Sequence, residues 1–498
     1  MDDSVNLVVQ GAPGPSAYEL WLLSGNTGSL EDFFAAVAAD QRGRYVLPSR
    51  FLTRRVMASP PTVTYSSSGT HTLGSNRVFM PSADGSAISS TFNYRKMSKP
   101  VAVNAEVSDR GCSYGLVPGA STASHMSSVA CTYDGLAIEF TFANNGQKLW
   151  IKVDGEYVSF TPTTLATGSA PSILYINFGS AKMREIEVIL CGVGQTLRFG
   201  GAYIEPTASI APVAPRGPRT FILGDSFGEG TGVTTSEFNV YGAVLGDLLG
   251  WDDIIISAVG QTGLLATGGG TKLNYRQRVA ADVLAFQPEL VIIQGSINDT
   301  GETTTAVSTE LQLLIATINA AAPHCRVIVT SMLAADGGGF APPAFYLASE
   351  GFKQGAEAAG VGFINLIEQP LPPQAAIGGT ITRVAASNAT RLYTSIKVPR
   401  NTTLKFPNGT HFRTVLGTES GSGDFICDGD QCTLGAAIGD TFTVVGNSAW
   451  SGNGNTASHA DNGNCDLVVC NDNVHPSDAG HIMIGTGIAY GLAKALNQ

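Results

Sequence analysis

The stretch RTFILGDSFGEG, residues 219–230, decides the fold. Its first half is an unbroken apolar run, the mark of a strand buried on both faces; its second half turns at once to Gly, Asp and Ser, which favour a tight turn. Four similar runs follow: DIIISAV (253–259), ELVIIQG (289–295), RVIVTSML (326–333) and VGFINLI (361–367). Helical stretches separate them near 237–249, 272–287, 304–322 and 344–359, and a final amphipathic helix runs from about Ser477 to Leu496. Apolar strands alternating with helices predict an α/β domain, a parallel sheet with helices on both faces, over residues 217–375 and 446–498.

The alternation breaks between 376 and 445, where ITRVAAS, RLYTSIKV, TTLKF, HFRTVLG, DFIC and TFTVVG read as strands. A structureless loop of that length is improbable, so an inserted β subdomain is expected. Upstream, residues 60–205 show short runs of period-two alternation such as LAIEFTF, KLWIKVDG and REIEVIL, which predict an antiparallel β-sandwich serving either as a glycan-binding module or as a spacer. The Pro-rich stretch 210–219 reads as a semi-rigid linker. Residues 1–45 read as two short helices, with Trp21, Leu22, Leu23, Phe33, Phe34 and Val37 more apolar than so short a segment can bury. They need a partner surface, either the rest of this chain or an assembly of several.

Composition narrows the function. The 498 residues suggest about three domains at roughly 150 residues each. Charged residues are only 14%, Gly reaches 59, the net charge is -11, and no basic cluster could neutralise a run of phosphates, so nucleic acid is not an expected partner. No uninterrupted apolar stretch of membrane-spanning length is present, so no membrane is expected either. The start, MDDSVNLVVQ, has two acids and no basic n-region, unlike a standard secretory signal. Among the eight cysteines, Cys427 and Cys432 flank a hairpin-like DGDQ and Cys465 and Cys470 bracket DLVV. Their x4 spacing is not that of a zinc knuckle, and no metal or other cofactor is expected.

Four segments carry chemistry. Ser226 follows the first strand of the α/β region, where open sheets place their sites and backbone N–H groups stand free. In NDNVHPSDAGH, residues 471–481, Asp472 and His475 lie three apart, so one turn can supply a base and the carboxylate that orients it. Asp478 and His481 repeat that spacing inside a helix, where His481 is expected to pack or cap. SAVGQTG after the second strand offers the Gly260 N–H to an oxyanion, with Gly263 competing for the role; QGSINDT after the third offers the Asn298 amide, unless Asn298 merely caps its turn. GDSFG also fits G-x-S-x-G, but that elbow follows several strands of its sheet, whereas Ser226 follows the first.

Together GDSF, AVGQTG, GSIND and DNVHP resemble, in order and spacing, the blocks of the SGNH (GDSL-type) hydrolase superfamily. The resemblance implies a three-layer α/β/α esterase with Ser226 as nucleophile and first oxyanion donor, Gly260 and Asn298 as further donors, His475 as base and Asp472 as its partner. Asp225, Asp299 and Gly295 are expected to support these turns. GPSAYELWLLSGNTGSLEDFFAAV, residues 14–37, resembles a module of phage tail-fibre proteins, which implies attachment to a virion tail and a homo-oligomer, a trimer first. The expected partner is then an acylated glycan or small ester, with Tyr393, Phe406, Phe412 and Trp450 as candidate sugar platforms unless they form the insertion's own core. A secreted carbohydrate esterase or lipase, and a non-catalytic receptor-binding fibre, are the alternatives.

Overall fold

The computed structural model describes residues 54–68, 71–73, 124–193, 197–213, 216–233, 240–270, 272–332, 342–366, 377–385, 388–395, 402–407, 411–416, 424–427, 437–447, 474–476 and 478–496, with short strands at 77–78, 93–95 and 112–114. The expected helices of 1–45, Asp472, Trp450, Cys432, Cys465 and Cys470 lie outside the described residues, as do the side chains of Tyr393, Phe412 and Cys427.

Five parallel strands form the α/β sheet in the order Ile254–Ala258, Thr220–Gly224, Leu290–Gly295, Arg326–Met332, Gly362–Ile364. The strands are apolar throughout because both faces are covered. Ile222, Ile254, Ile256, Ile292 and Ile328 face helices Tyr241–Leu249 and Asp478–Ala495. Their neighbours Phe221, Leu223, Ile255, Val291, Ile293 and Val329 face helices Tyr275–Asp282, Thr304–Ala321 and Pro342–Ala358. The chain leaves the Thr220–Gly224 strand for one neighbour, then returns to the other side. This reversal opens a crevice above the carboxyl end of that strand, and Ser226 stands there.

Upstream, two antiparallel sheets share one core. Ile138, Phe140 and Phe142 of strand Ala137–Asn145 meet Val129, Cys131, Ile151 and Val188 of the opposite sheet. The Pro-rich stretch departs from the linker reading. Ile210–Pro212 pairs with Cys131–Tyr133 as an edge strand, where a proline's missing N–H costs no ladder bond. Arg216 then bonds Asp252 at 2.8 Å and Glu185 at 3.0 Å, so the connection is fastened to both units rather than spacing them.

The insertion closes into a barrel, in the order Ile377–Ala385, Asn388–Thr394, Asp424–Cys427, His411–Leu416, Thr402–Lys405, Thr441–Asn447. Leu404, Phe406, Ile381 and Phe442 are buried there. Phe406 is only 5% exposed and its ring lies 6.1 Å from that of Phe442. Its face is therefore occupied by the barrel's own packing, which corrects its candidacy as a sugar platform.

Besides Arg216, the sandwich meets the α/β unit around one acidic side chain. Asp247, on helix Tyr241–Leu249, receives Arg54 Nε at 2.6 Å, Lys152 Nζ at 2.6 Å and Tyr157 Oη at 3.1 Å, while Trp150, Tyr157 and Ile189 bury an apolar patch against Ala243. Burial alone would lower the Lys152 pKa, but Asp247 and then Glu187 more than offset it and leave it raised. Asp247→Ala would leave the buried Lys152 ammonium to Glu187, 4.0 Å away, and is expected to cost about 3 kcal/mol of stability. A denaturation midpoint unchanged from wild type would show that the apolar patch and Arg216 hold the joint without Asp247.

Candidate active site

The nucleophile turn is wound tightly enough to exclude side chains at its glycines. A Cβ on Gly224 would lie 2.6 Å from Gln294 Oε1, and one on Gly228 would lie 2.7 Å from the Ala258 Cβ. Phe227 N donates to Asp225 Oδ1 at 3.0 Å, Glu229 N to the Asp225 carbonyl at 3.0 Å and Thr231 N to the Ser226 carbonyl at 3.1 Å. Ser226 is left 9% exposed, with its hydroxyl at the crevice. His475 Nε2 lies 2.8 Å from Ser226 Oγ. Two neighbours aim that imidazole: Val474 packs against the core, and the Phe227 ring meets the imidazole edge-on at 5.6 Å. A base within hydrogen-bond reach of a hydroxyl is the geometry that activates a serine.

Asp225 lies directly behind this turn and is fully buried. Its carboxylate accepts from Phe227 N, from Gln294 Nε2 at 2.7 Å and from Ser296 Oγ at 2.7 Å, and Gln294 is in turn held by Tyr241 Oη at 2.6 Å. Burial raises the Asp225 pKa, opposed by the bonds from Ser296, Phe227 and Gln294 and by the charge of His475.

Gly260 and Gly263, equivalent in the sequence, separate here. A Cβ on Gly260 would lie 3.4 Å from Ser226 Cβ and 2.7 Å from Glu229 Oε2, which puts Gly260 beside the nucleophile. A Cβ on Gly263 would lie 2.6 Å from both Asp299 carboxylate oxygens, so its bareness serves Asp299 instead. Gln261 has φ 67, a left-handed conformation that is strained for any residue with a Cβ. Lys272 Nζ holds that bend, donating to the Gly260 carbonyl at 2.9 Å and to Gln261 Oε1 at 2.8 Å. Asn298 lies in the one-turn helix Ile297–Asp299, capped by Ser296, and its Nδ2 donates to the Thr262 carbonyl at 2.9 Å and approaches Ser296 Oγ at 3.2 Å. Ser226, His475, Gly260 and Asn298 thus stand on three strand ends and the start of the last helix, around one crevice.

Sequence reasoning missed Arg278. It is 3% exposed on helix Tyr275–Asp282 and donates to the carbonyls of Gly224 at 2.6 Å and Ser257 at 2.8 Å, tying together the two strands that lead to Ser226 and Gly260. Burial lowers its pKa, opposed first by Tyr275 and Asp282. Only the Arg278–Asp282 spacing of four was visible, and an exposed helical pair has the same pattern.

His481 packs, as its helical position suggests. Its Nδ1 accepts from Tyr241 N at 3.4 Å, its Nε2 faces the Thr231 carbonyl at 3.5 Å, and its ring stacks on Tyr241. Burial drives its pKa down to about 4. A histidine with a folded pKa below its unfolded value stabilises fully above about 6.5, and that contribution is lost as pH falls toward 4. The group should therefore account for about 3 kcal/mol of acid destabilisation across that window. His481→Gln, which cannot titrate, is expected to flatten the fall in urea midpoint between pH 7 and pH 4; an equal fall in both proteins would count against the assignment.

Residues 222–384 match the model of the GDSL-like Lipase/Acylhydrolase family. No curated protein matches the chain. Among solved structures, a family two carbohydrate esterase from Clostridium thermocellum in complex with cellohexaose is 15% identical, covering 55% of this chain and 88% of that one with a TM-score of 0.40. A carbohydrate esterase family 2 enzyme with a carbohydrate binding domain, from Corynascus thermopiles (Myceliophthora fergusii), is 14% identical, covering 76% and 95% with a TM-score of 0.43. An acetyl xylan esterase from the rumen bacterium Butyrivibrio proteoclasticus is 12% identical, covering 56% and 87% with a TM-score of 0.38. With the family match lying over the nucleophile turn and both neighbouring loops, residues 222–384 form a GDSL-like lipase/acylhydrolase domain, that of a carboxylic ester hydrolase.

Proposed function

We propose that the enzyme removes O-acetyl or other short acyl groups from a bacterial surface polysaccharide. The observation that carries the catalytic part is the 2.8 Å contact between His475 Nε2 and Ser226 Oγ at the carboxyl edge of the parallel sheet. In this reading His475, oriented by Asp472, takes the Ser226 proton as Oγ attacks the ester carbonyl. The oxyanion is met by the N–H groups of Ser226 and Gly260 and by the Asn298 amide. Collapse expels the sugar hydroxyl, protonated by His475, and leaves an acyl-serine. Water, deprotonated by the same imidazole, then releases the acid and returns the proton to Ser226.

The glycan part is supported by the crevice's companions: a β-sandwich joined to the catalytic unit at Asp247, and a barrel inserted in sequence between the last sheet strand and His475. Tyr393 and Phe412 of that insertion, with nearby Trp450, remain the proposed sugar contacts. Attachment to a virion tail as a trimer is supported by the sequence of residues 14–37 alone.

Ser226→Ala is expected to remove nearly all turnover of p-nitrophenyl acetate with the fold intact, and Asn298→Ala to lower kcat about 10²–10³-fold with KM little changed. A panel of acetylated glycans scored for acetate release tests the substrate. Release from small esters but from no polysaccharide would sink the glycan reading, and no turnover at all would favour a receptor-binding fibre.

A further inference from the structure

The loop that carries Gly260, Val259–Ala266, forms neither helix nor strand apart from one isolated bridge at Thr262, and its own bonds are those of Thr262 N and Oγ1 to the Val259 carbonyl and of Gly263 N to the Ala266 carbonyl. Beside these and the Lys272 bonds to Gly260 and Gln261, the next strand's turn fixes it. Asp299 is fully buried, and its carboxylate accepts three consecutive backbone N–H groups of the loop: Leu264 at 2.7 Å, Leu265 at 2.9 Å and Ala266 at 3.0 Å. The approach is possible only because Gly263 has no side chain. One residue earlier, Asn298 Nδ2 donates to the Thr262 carbonyl at 2.9 Å, and Ser296 Oγ, whose proton goes to Asp225, lies 2.9 Å from the same oxygen. Two of the proposed oxyanion donors, Gly260 N–H and the Asn298 amide, are therefore set relative to each other through Asp299 and its neighbours.

We infer that Asp299 is a positioning residue for the oxyanion hole, holding the Gly260 loop in register with Asn298 and Ser226 by accepting three amides as a carboxylate. The inference rests on the ester-hydrolysis reading of the site. Its physical basis is that oxyanion donors act only when they are already aimed, and a misplacement of about 1 Å can cost 10²-fold in rate. An aspartic acid could not do the same, because its O–H would face a donor.

Ionisation of Asp299 is not free. Burial raises its pKa to about 6, against the three amide bonds, and the charge of Asp225 adds to the rise. The charge of Asp299 in turn adds to the raised pKa of Tyr275, on the helix that follows the loop, which burial above all keeps a neutral phenol. The carboxylate form should therefore give way to the acid as pH falls through about 6, and the loop should loosen in the same range.

The test uses the full chain with p-nitrophenyl acetate, comparing wild type, Asp299→Asn and Gly263→Ala. The second variant pushes the carboxylate off the loop without removing it, and serves if Asp299→Asn fails to fold. At pH 8 kcat is expected to fall about 10- to 100-fold in each variant, with KM within about twofold. Below pH 6 the log kcat of wild type should fall more steeply than that of Asp299→Asn, because Asp299 must be ionised to hold the loop and the amide cannot titrate. Amides Leu264, Leu265 and Ala266 should exchange faster in both variants. Folded variants with unchanged kcat, or with raised KM alone, would overturn the positioning role while leaving the esterase reading intact. A wild type that turns over no ester, and whose Ser226 resists a fluorophosphonate, would bring down both.

Discussion

A carboxylate removed from water must be given donors by the protein, and at Asp225 this requirement organises the catalytic end of the sheet. An unpaired buried charge costs several kcal/mol, so Phe227 N, Gln294 and Ser296 converge on it from the nucleophile turn and from the neighbouring strand. Because those donors belong to different loops, meeting the need of one side chain fixes the relative positions of both. Asp299 repeats the arrangement one loop further out, and Arg278 repeats it with the opposite sign beneath the strand ends. The crevice is thus held from behind by buried charge, and its front is left to Ser226, Gly260, Asn298 and His475.

Helix Tyr241–Leu249 carries this framework outward. Near its first turn, Tyr241 Oη holds Gln294 and its backbone N meets His481; near its last turn, Asp247 is gripped by Arg54, Lys152 and Tyr157. One helix of nine residues therefore touches the nucleophile network, the final helix and the sandwich. The sandwich is fastened to an element that itself positions the catalytic turn.

Much of this was legible in the sequence. ELVIIQG and FILGDS could be read as central strands because nothing but a two-sided core tolerates such runs, and the four site blocks fell at strand ends and before the last helix, where chemistry collects. What could not be read were interactions that depend on what lies opposite. Gly260 and Gly263 look alike until Ser226 and Asp299 are placed beside them. Arg278 sits in YRQRVAAD, whose polarity suits a solvated face. The prolines of 210–219 suggest a spacer, yet an edge strand accepts one as readily. Phe406 carries the same aromatic ring whether it stacks on a sugar or on Phe442; only burial distinguishes them.

The barrel has a consequence for how the molecule assembles. Ser226 and His475 are 249 residues apart, and closing so long a loop in an unfolded chain is entropically unfavourable and slow. The strand that enters the barrel, Ile377–Ala385, pairs with the one that leaves it, Thr441–Asn447, with Ile377 opposite Val444. Once the barrel has closed on itself, its two ends are neighbours, and the span between them no longer counts toward the loop that must be closed. An insertion that lengthens the chain thus shortens the search by which the last helix finds the sheet, and the histidine arrives with it.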